Sequence, residues 1–219
     1  MGVTEKRIYL DYLVKNYMDS LPARIILSIR PKEYLVQGPS HCGAYSVKGI
    51  LSAFGKDHKG HPREYHPILL GRLTGGTFGK NYWVNILKHH GINAEFQTAK
   101  NLSPVGKINL LKNLLAKNTP VMIRIGNGYF RSNTYNSVLG KIVPHWITLW
   151  GYDDKEKVFY IYDSGLTKRL YDRNVPIGNA KRTYDEILRD WNFGTWQPWT
   201  WHTSPQTYAY IKINSDKTI

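Results

Sequence analysis

One cysteine in 219 residues excludes an internal disulfide framework and any zinc site built from several thiolates. Cys42 is therefore a core residue, one half of an intermolecular pair, or a reagent. No apolar run approaches the ~18 residues that a bilayer-spanning helix needs, so no membrane span is expected. The segment from Met1 to Lys15 is polar and mixed in charge, without an apolar h-region. No secretory signal is read there, and a cytoplasmic location is expected unless a leader has been removed. Acidic residues are scarce: 16 Asp and Glu stand against 30 Lys and Arg, a formal net charge of +14. Long basic runs are missing too, and no recognition-helix, zinc-finger or RNP-like signature organises the charge. A solvated basic surface is expected, able to steer an anionic substrate or partner.

With 42% hydrophobic and 13% aromatic residues, the chain can bury a sizeable core. A single domain over 1–219 is expected, with 1–35 as an N-terminal helical extension packed on it. Ile8, Tyr12, Leu13 and Tyr17 give that extension a helical spacing over 5–18. Ala44, Val47, Ile50, Leu51 and Phe54 share one helical face after Pro39-Ser40-His41-Cys42-Gly43, and Gly55 is placed to end that helix. Trp83, Ile86 and Leu87 predict a helix over about 80–90, with a short strand near 92–96. Ser103-Pro104 reads as a cap and first turn, opening a helix through Leu115. Pro120 leads into an apolar strand, Val121–Ile125, followed by a long irregular segment over 126–144.

His145–Tyr152 and Val158–Asp163 are aromatic, β-branched runs separated by 153–157, the signal of a β-hairpin. Thr183-Tyr184-Asp185-Glu186 has capping-box spacing ahead of Ile187, Leu188 and Trp191. Ala209, Ile211 and Ile213 alternate in a closing strand. Helices early and strands late predict an α+β fold with an antiparallel sheet. No internal repeat is present.

A thiol with a free pKa near ~8.5 becomes a good nucleophile when a helix N-terminus and an imidazolium stabilise its thiolate. Cys42 falls in the first turn of a buried helix. His145 opens the hairpin and Asp163 ends its second strand, and in an antiparallel pair those ends are neighbours. His145 is thus the candidate base and Asp163 the group that orients its ring. The backbone N–H of Cys42 and the side-chain amide of Gln37 are candidate donors to an oxyanion. Gly43 and Trp146 flank the nucleophile and base, and Tyr129 and Tyr135 sit in the 126–144 loop. These four are the candidate substrate contacts, the loop acting as lid or wall. Such acyl chemistry needs no metal or organic cofactor. His58, His61 and His66 are not read as a metal site, because Pro62 and Pro67 break any helix that would align them. His89 and His90 close a helix, where a cation complements the dipole. Trp196, Trp199 and Trp201 are read as core.

The sequence resembles the papain-like cysteine peptidases and, within them, the C39-like group. The resemblance rests on Gln37 and Cys42-Gly43 at a helix start, the leucine-rich helix before Pro120-Val121, the run from His145 to Asp153, and Asp163. It covers roughly 35–165, in the family's order of Cys, His, Asp. It implies a papain-like fold in which a helical half carrying Cys42 at a helix N-terminus packs on a sheet carrying His145 and Asp163. It also implies that Cys42 is nucleophile, His145 general base, Asp163 imidazole orienter and Gln37 part of the oxyanion hole, acting on a peptide or protein substrate. The family usually places the Gln six residues before the Cys, whereas here the separation is five. Two alternatives stay open: a silent binding module whose basic surface holds an anionic partner, and a transglutaminase-type acyltransferase using the same three groups. Nothing in the sequence reports the oligomeric state.

Overall fold

The computed structural model describes residues 21–77, 79–129, 132, 134–193 and 207–214. In chain order the elements are β1 (Arg24–Ile26), α1 (Cys42–Ala53), α2 (Leu69–Thr74), α3 (Tyr82–His89), β2 (Ala94–Thr98) and α4 (Pro104–Leu115). There follow β3 (Val121–Gly126), α5 (Ser137–Ile142), β4 (Pro144–Asp153), β5 (Val158–Tyr162), β6 (Ala180–Thr183), α6 (Tyr184–Trp191) and β7 (Ala209–Ile213). This is the α+β architecture expected.

Seven strands form one sheet in the order β2-β7-β3-β4-β5-β6, with β1 on β4. Every pairing is antiparallel. The ten residues of β4 serve β3 through Pro144–Leu149 and β1 through Gly151–Asp153, with an irregularity in the β5 register between Leu149 and Gly151. The closing strand does not lie at an edge: β7 pairs with both β2 and β3. Strand order of this kind is invisible in a sequence, because the partners are far apart along the chain and only packing selects them.

Local sequence explains most of the helices. In α1, Ala44, Val47, Ile50 and Leu51 are fully buried. The rest of the helix from Gly43 to Ser52 is buried as well, so α1 is a central helix rather than an amphipathic surface one. Its Lys48 is buried with it and is satisfied by Asp57 at 2.6 Å and the Lys59 carbonyl at 2.8 Å. Gly55, at φ +68°, ends the helix as expected. The Ser103 hydroxyl accepts from Gly106 N at 3.1 Å at the start of α4, and Thr183 and Glu186 form the predicted capping box of α6.

Some expectations fall outside the described residues, and others meet a different outcome. The helix over 5–18 lies outside the described residues, as do Trp196, Trp199 and Trp201. Within the described part of 1–35 there is no helix, and Arg24–Ile26 is instead a strand on β4. The segment 126–144 is not irregular throughout, since it contains α5, capped by Asn136, whose side chain accepts from Val138 N and Leu139 N. That helix is too short to show an apolar period, and its sequence signal was the Asn-Ser pair alone. Among the described residues no helix is long and apolar enough to cross a membrane.

The core is strongly aromatic: Trp150, Trp191, Tyr152, Tyr162 and Phe159 have almost no exposed surface. Each such side chain contributes about 1.5–3 kcal/mol by leaving water. Buried hydroxyls are answered by backbone. Tyr162 Oη donates to the Leu35 carbonyl at 2.9 Å and accepts from Leu35 N at 3.1 Å, which straps the segment leading to Gln37 against β5.

One turn ties this fold to the functional cleft. Gly178 has φ +87°, and a Cβ there would lie 2.0 Å from the Ile161 carbonyl oxygen. The turn delivers Asn179, whose side chain accepts from Asp163 N and donates to Asp163 O, both at 2.8 Å. Gly178→Ala is therefore expected to lower stability by about 2–4 kcal/mol, through an unfavourable φ and a backbone clash that nothing flexible can relieve. The urea midpoint should fall with the slope unchanged.

Candidate active site

The chain reaches Cys42 through a sharp turn. His41, the residue before α1, has φ 81°, a left-handed conformation uncommon for a side-chain-bearing residue. Such a conformation costs about 1–2 kcal/mol and persists only where neighbours hold it. His41 is held at both ring nitrogens: Nε2 lies 2.9 Å from the Arg72 carbonyl and Nδ1 2.8 Å from Ser40 Oγ. Because a carbonyl only accepts, Nε2 carries the proton and Nδ1 accepts from the serine hydroxyl. No side chain caps α1 and no acidic residue sits in its first turn, so its partial positive charge is left for Cys42. The next residue must be small, since a Cβ on Gly43 would sit 2.2 Å from the Trp83 indole.

Three chain segments meet at the sulfur. The Cys42 sulfur lies where the His145 ring and the backbone N–H groups of Gly43 and Trp146 all act on it electrostatically. His145 Nε2 donates to Asp163 Oδ1 at 2.7 Å, which leaves Nδ1 as the ring nitrogen facing sulfur. Gly165 N donates to the same Oδ1 at 2.8 Å, and Arg182 Nη2 lies 3.7 Å from Oδ2. His145 and Asp163 are each only 2% exposed. Gly165 is closely placed too, though less so than Gly43: a Cβ there would meet Asp163 Oδ1 at 3.1 Å and the His145 ring at 3.2 Å.

Charge follows geometry. Burial alone would push the Cys42 thiol up, but the His145 hydrogen bond and charge and the two backbone donors outweigh it, and its pKa is lowered. Burial likewise opposes an imidazolium, yet the Asp163 carboxylate and the Cys42 sulfur push His145 up to about 10. Burial would raise Asp163, and His145, Arg182 and the Gly165 N–H together lower it. Both shifts run in the direction that favours the charged form of each group.

Cys42 and His145 open on a cleft of about 370 Å³ that also receives Gln37, Gly43, Trp83, Arg124, Asn127 and Trp146. Gln37 is buried, and its Oε1 accepts from Ser164 Oγ at 2.6 Å while its backbone N donates to Ser164 O at 2.8 Å. With Oε1 so engaged, the amide NH₂ is the group left to serve the cleft. The structure thus brings Gln37, Cys42, Gly43, His145, Trp146 and Asp163 together.

Tyr129 and Tyr135 it places elsewhere. Neither lines the cleft. Their rings meet edge to face at 5.2 Å, under Arg182 and Arg189. Cation–π attraction to Arg182 and Arg189 holds them on the Asp163 side, outside that lining. The histidines of 58–66 also do separate work. His61 Nδ1 accepts from Arg63 N at 3.2 Å, and His66 is buried against Tyr82 Oη at 2.9 Å, its pKa pushed down to about 4 mainly by burial.

Five supporting residues had no readable role in the sequence: His41, Asn127, Ser164, Asn179 and Arg182. Ser164 directly follows Asp163 and His41 directly precedes Cys42, the two local hints among them. The others act across distances in the chain that carry no periodic signal.

The class defined by this fold is α+β, with the helix carrying Cys42 at its N-terminus packed on the sheet that carries His145. The chain belongs to the Peptidase_C39 like family, whose model matches residues 29–191, and is accordingly a cysteine hydrolase. No curated protein matches it. Among solved structures it is similar to a double glycine motif protease from an AMS/PCAT transporter, in complex with the leader peptide. That pair shares 14% identity over 87% of this chain and 96% of the other, with a TM-score of 0.47. It is also similar to Xylellain, a cysteine protease from Xylella fastidiosa, at 16% identity over 91% and 88% of the two chains, with a TM-score of 0.46. The family assignment rests on the 29–191 match and not on these distant likenesses.

Proposed function

We propose that this protein is a C39-like cysteine peptidase that cleaves amide bonds in peptides through a Cys42 acyl-enzyme. The observation that carries the reading is the chain of contacts from the Cys42 sulfur through the His145 ring to the Asp163 carboxylate, on the floor of an open cleft at a helix N-terminus. The Cys42 thiolate attacks the carbonyl carbon, a C–S bond forms, and the carbonyl π pair moves onto oxygen. The Cys42 N–H and the Gln37 amide receive that oxyanion. As it collapses, the C–N bond breaks and the His145 imidazolium gives its proton to the leaving nitrogen. Water then attacks the thioester while His145 takes its proton, the C–S bond breaks, and acid product and thiolate are released. Asp163 holds the ring through Nε2 throughout.

Because Cys42 is the single thiol, alkylation kinetics report on it without ambiguity. The rate constant for iodoacetamide should stay near its plateau well below pH 8, reflecting a thiolate that persists into acid. A profile centred at the free-thiol value near ~8.5 would overturn the reading.

The cleft also favours one sign of charge. Its described lining includes the cations Lys80 and Arg124 and no carboxylate. Arg124 feels the Cys42 sulfur electrostatically, and its guanidinium carbon lies 5.2 Å from the Phe193 ring centroid. Peptides with an acidic residue beside the scissile bond are expected to show about tenfold higher kcat/KM than the same peptides carrying Lys, and the preference should shrink as salt rises. Arg124→Met should erase most of it. Equal kcat/KM for the two peptides at low salt would remove the charge preference while leaving the acyl-enzyme reading intact.

A further inference from the structure

Asp163 presents two carboxylate oxygens, and His145 uses one. Oδ1 accepts from His145 Nε2 and from Gly165 N, and Oδ2 faces Arg182 at 3.7 Å. Arg182 reaches this buried carboxylate from β6, where it stands opposite Phe159 of β5, and its side chain is only 14% exposed. Its guanidinium does not hang free. The central carbon lies 3.8 Å from the Tyr129 ring centroid, a close cation–π contact.

The ring is itself held on three sides. Tyr129 Oη donates to Glu186, whose other oxygen accepts from Thr183 N at 2.7 Å. Tyr135 packs on Tyr129 at 5.2 Å, and Arg189 covers Tyr135 at 3.5 Å while pairing with Asp190 at 2.8 Å. The loop after β3 is thereby clamped to β6 and α6, and the clamp ends on the far oxygen of Asp163.

We infer that Arg182 is a positioning residue for the proposed reaction, acting through Asp163, and that Tyr129 is the platform that aims it. This rests on the proposed role of Asp163. A carboxylate gripped on Oδ1 alone can rotate about its terminal torsion or take up a proton on Oδ2. A cation on Oδ2 opposes both, keeping the oxygen that faces His145 ionised and in plane. The charged or titratable groups around Asp163 are His145 from β4, Arg182 from β6, Tyr162 at the end of β5 and Tyr171 beyond it. Of these only Arg182 is a guanidinium, whose planar fork suits a carboxylate oxygen.

The test follows the acid limb of Cys42 alkylation by iodoacetamide in the full chain. In Arg182→Gln, Asp163 protonates at higher pH and releases His145, so the limb should move up by about one pH unit. Arg182→Lys keeps the charge without the planar fork and should bring the limb most of the way back. Tyr129→Leu, which keeps the cation but removes its platform, should move the limb by a smaller amount in the same direction. A purely structural role would lower the melting temperature and leave the limb in place.

An Arg182→Gln limb superimposable on the parent's would overturn the inference. Where Arg182→Gln does not fold, an unmoved Tyr129→Leu limb overturns it instead. If the parent itself shows no acid-shifted alkylation, the acyl-enzyme reading fails. If the parent does and the variants match it, only the role of Arg182 fails.

Discussion

Cys42→Ala is expected to abolish peptide cleavage, lowering kcat by about 10⁴-fold or more while leaving substrate binding within a few-fold. Alanine removes the only atom able to form the acyl bond, and the neighbouring Gly43 and Trp146 N–H groups have nothing to offer a carbonyl carbon. The substitution is mild structurally. Position 42 is partly exposed at the cleft, and Ala is the best helix former, so the melting temperature should change little. Binding is checked by titrating uncleaved peptide into the variant, and cleavage by mass spectrometry of the peptide after prolonged incubation. Cleavage at more than a few per cent of the parent rate would show that the chemistry lies elsewhere.

His145→Ala should produce the second large effect, and it separates nucleophile activation from mere exposure of the thiol. His145 supplies the leading influences that lower the Cys42 pKa against burial. Without it the burial penalty on the thiolate stands with only the two backbone donors against it. The sign is therefore fixed: the thiol pKa rises toward or above ~8.5, and alkylation at pH 6 should fall by about 10²-fold or more.

Stability moves with pH in the parent for the same reason. A His145 pKa raised from 6.5 to about 10 contributes stability that is fully present below pH 6.5 and is lost as pH climbs through 10. The variant should lack that alkaline decline, which thermal melts from pH 6 to 10.5 would show. The histidine also leaves Asp163 buried without its main partner, so a lower melting temperature at neutral pH is expected alongside.

Local chemistry in the sequence was enough for several elements. Gly55 and Gly91 both have positive φ and stand just past helices whose apolar spacing was already visible. Thr183 with Glu186, and Ser103 with Pro104, are caps that work through bonds spanning two or three residues, so they can be read without knowing anything else about the chain. The hairpin from His145 to Tyr162 was legible because its strands are consecutive and strongly β-forming. The expected neighbourhood of His145 and Asp163 follows from that one connection, with no knowledge of the rest of the sheet.

Other features needed the folded chain. The placement of β7 between β2 and β3 joins residues from 87 to 119 positions apart, and its alternating pattern fits an edge as well as an interior position. Tyr129 and Tyr135 looked like substrate contacts because aromatic residues in a long loop commonly are. They face the guanidinium groups of Arg182 and Arg189, which arrive from β6 and α6.

By itself the sequence determined the chemical identities and the local geometry: a sole thiol opening a helix, and a histidine and an aspartate at adjacent ends of one hairpin. Those depend on dihedral preference and short-range hydrogen bonds, which a few neighbouring residues settle. What surrounds each group came with the packing of distant segments, from Ser164 on Gln37 to Asn179 and Arg182 on Asp163. Desolvation and charge pairing act through space and not along the chain, so the pKa shifts of Cys42, His145 and Asp163 exist only once the segments have met.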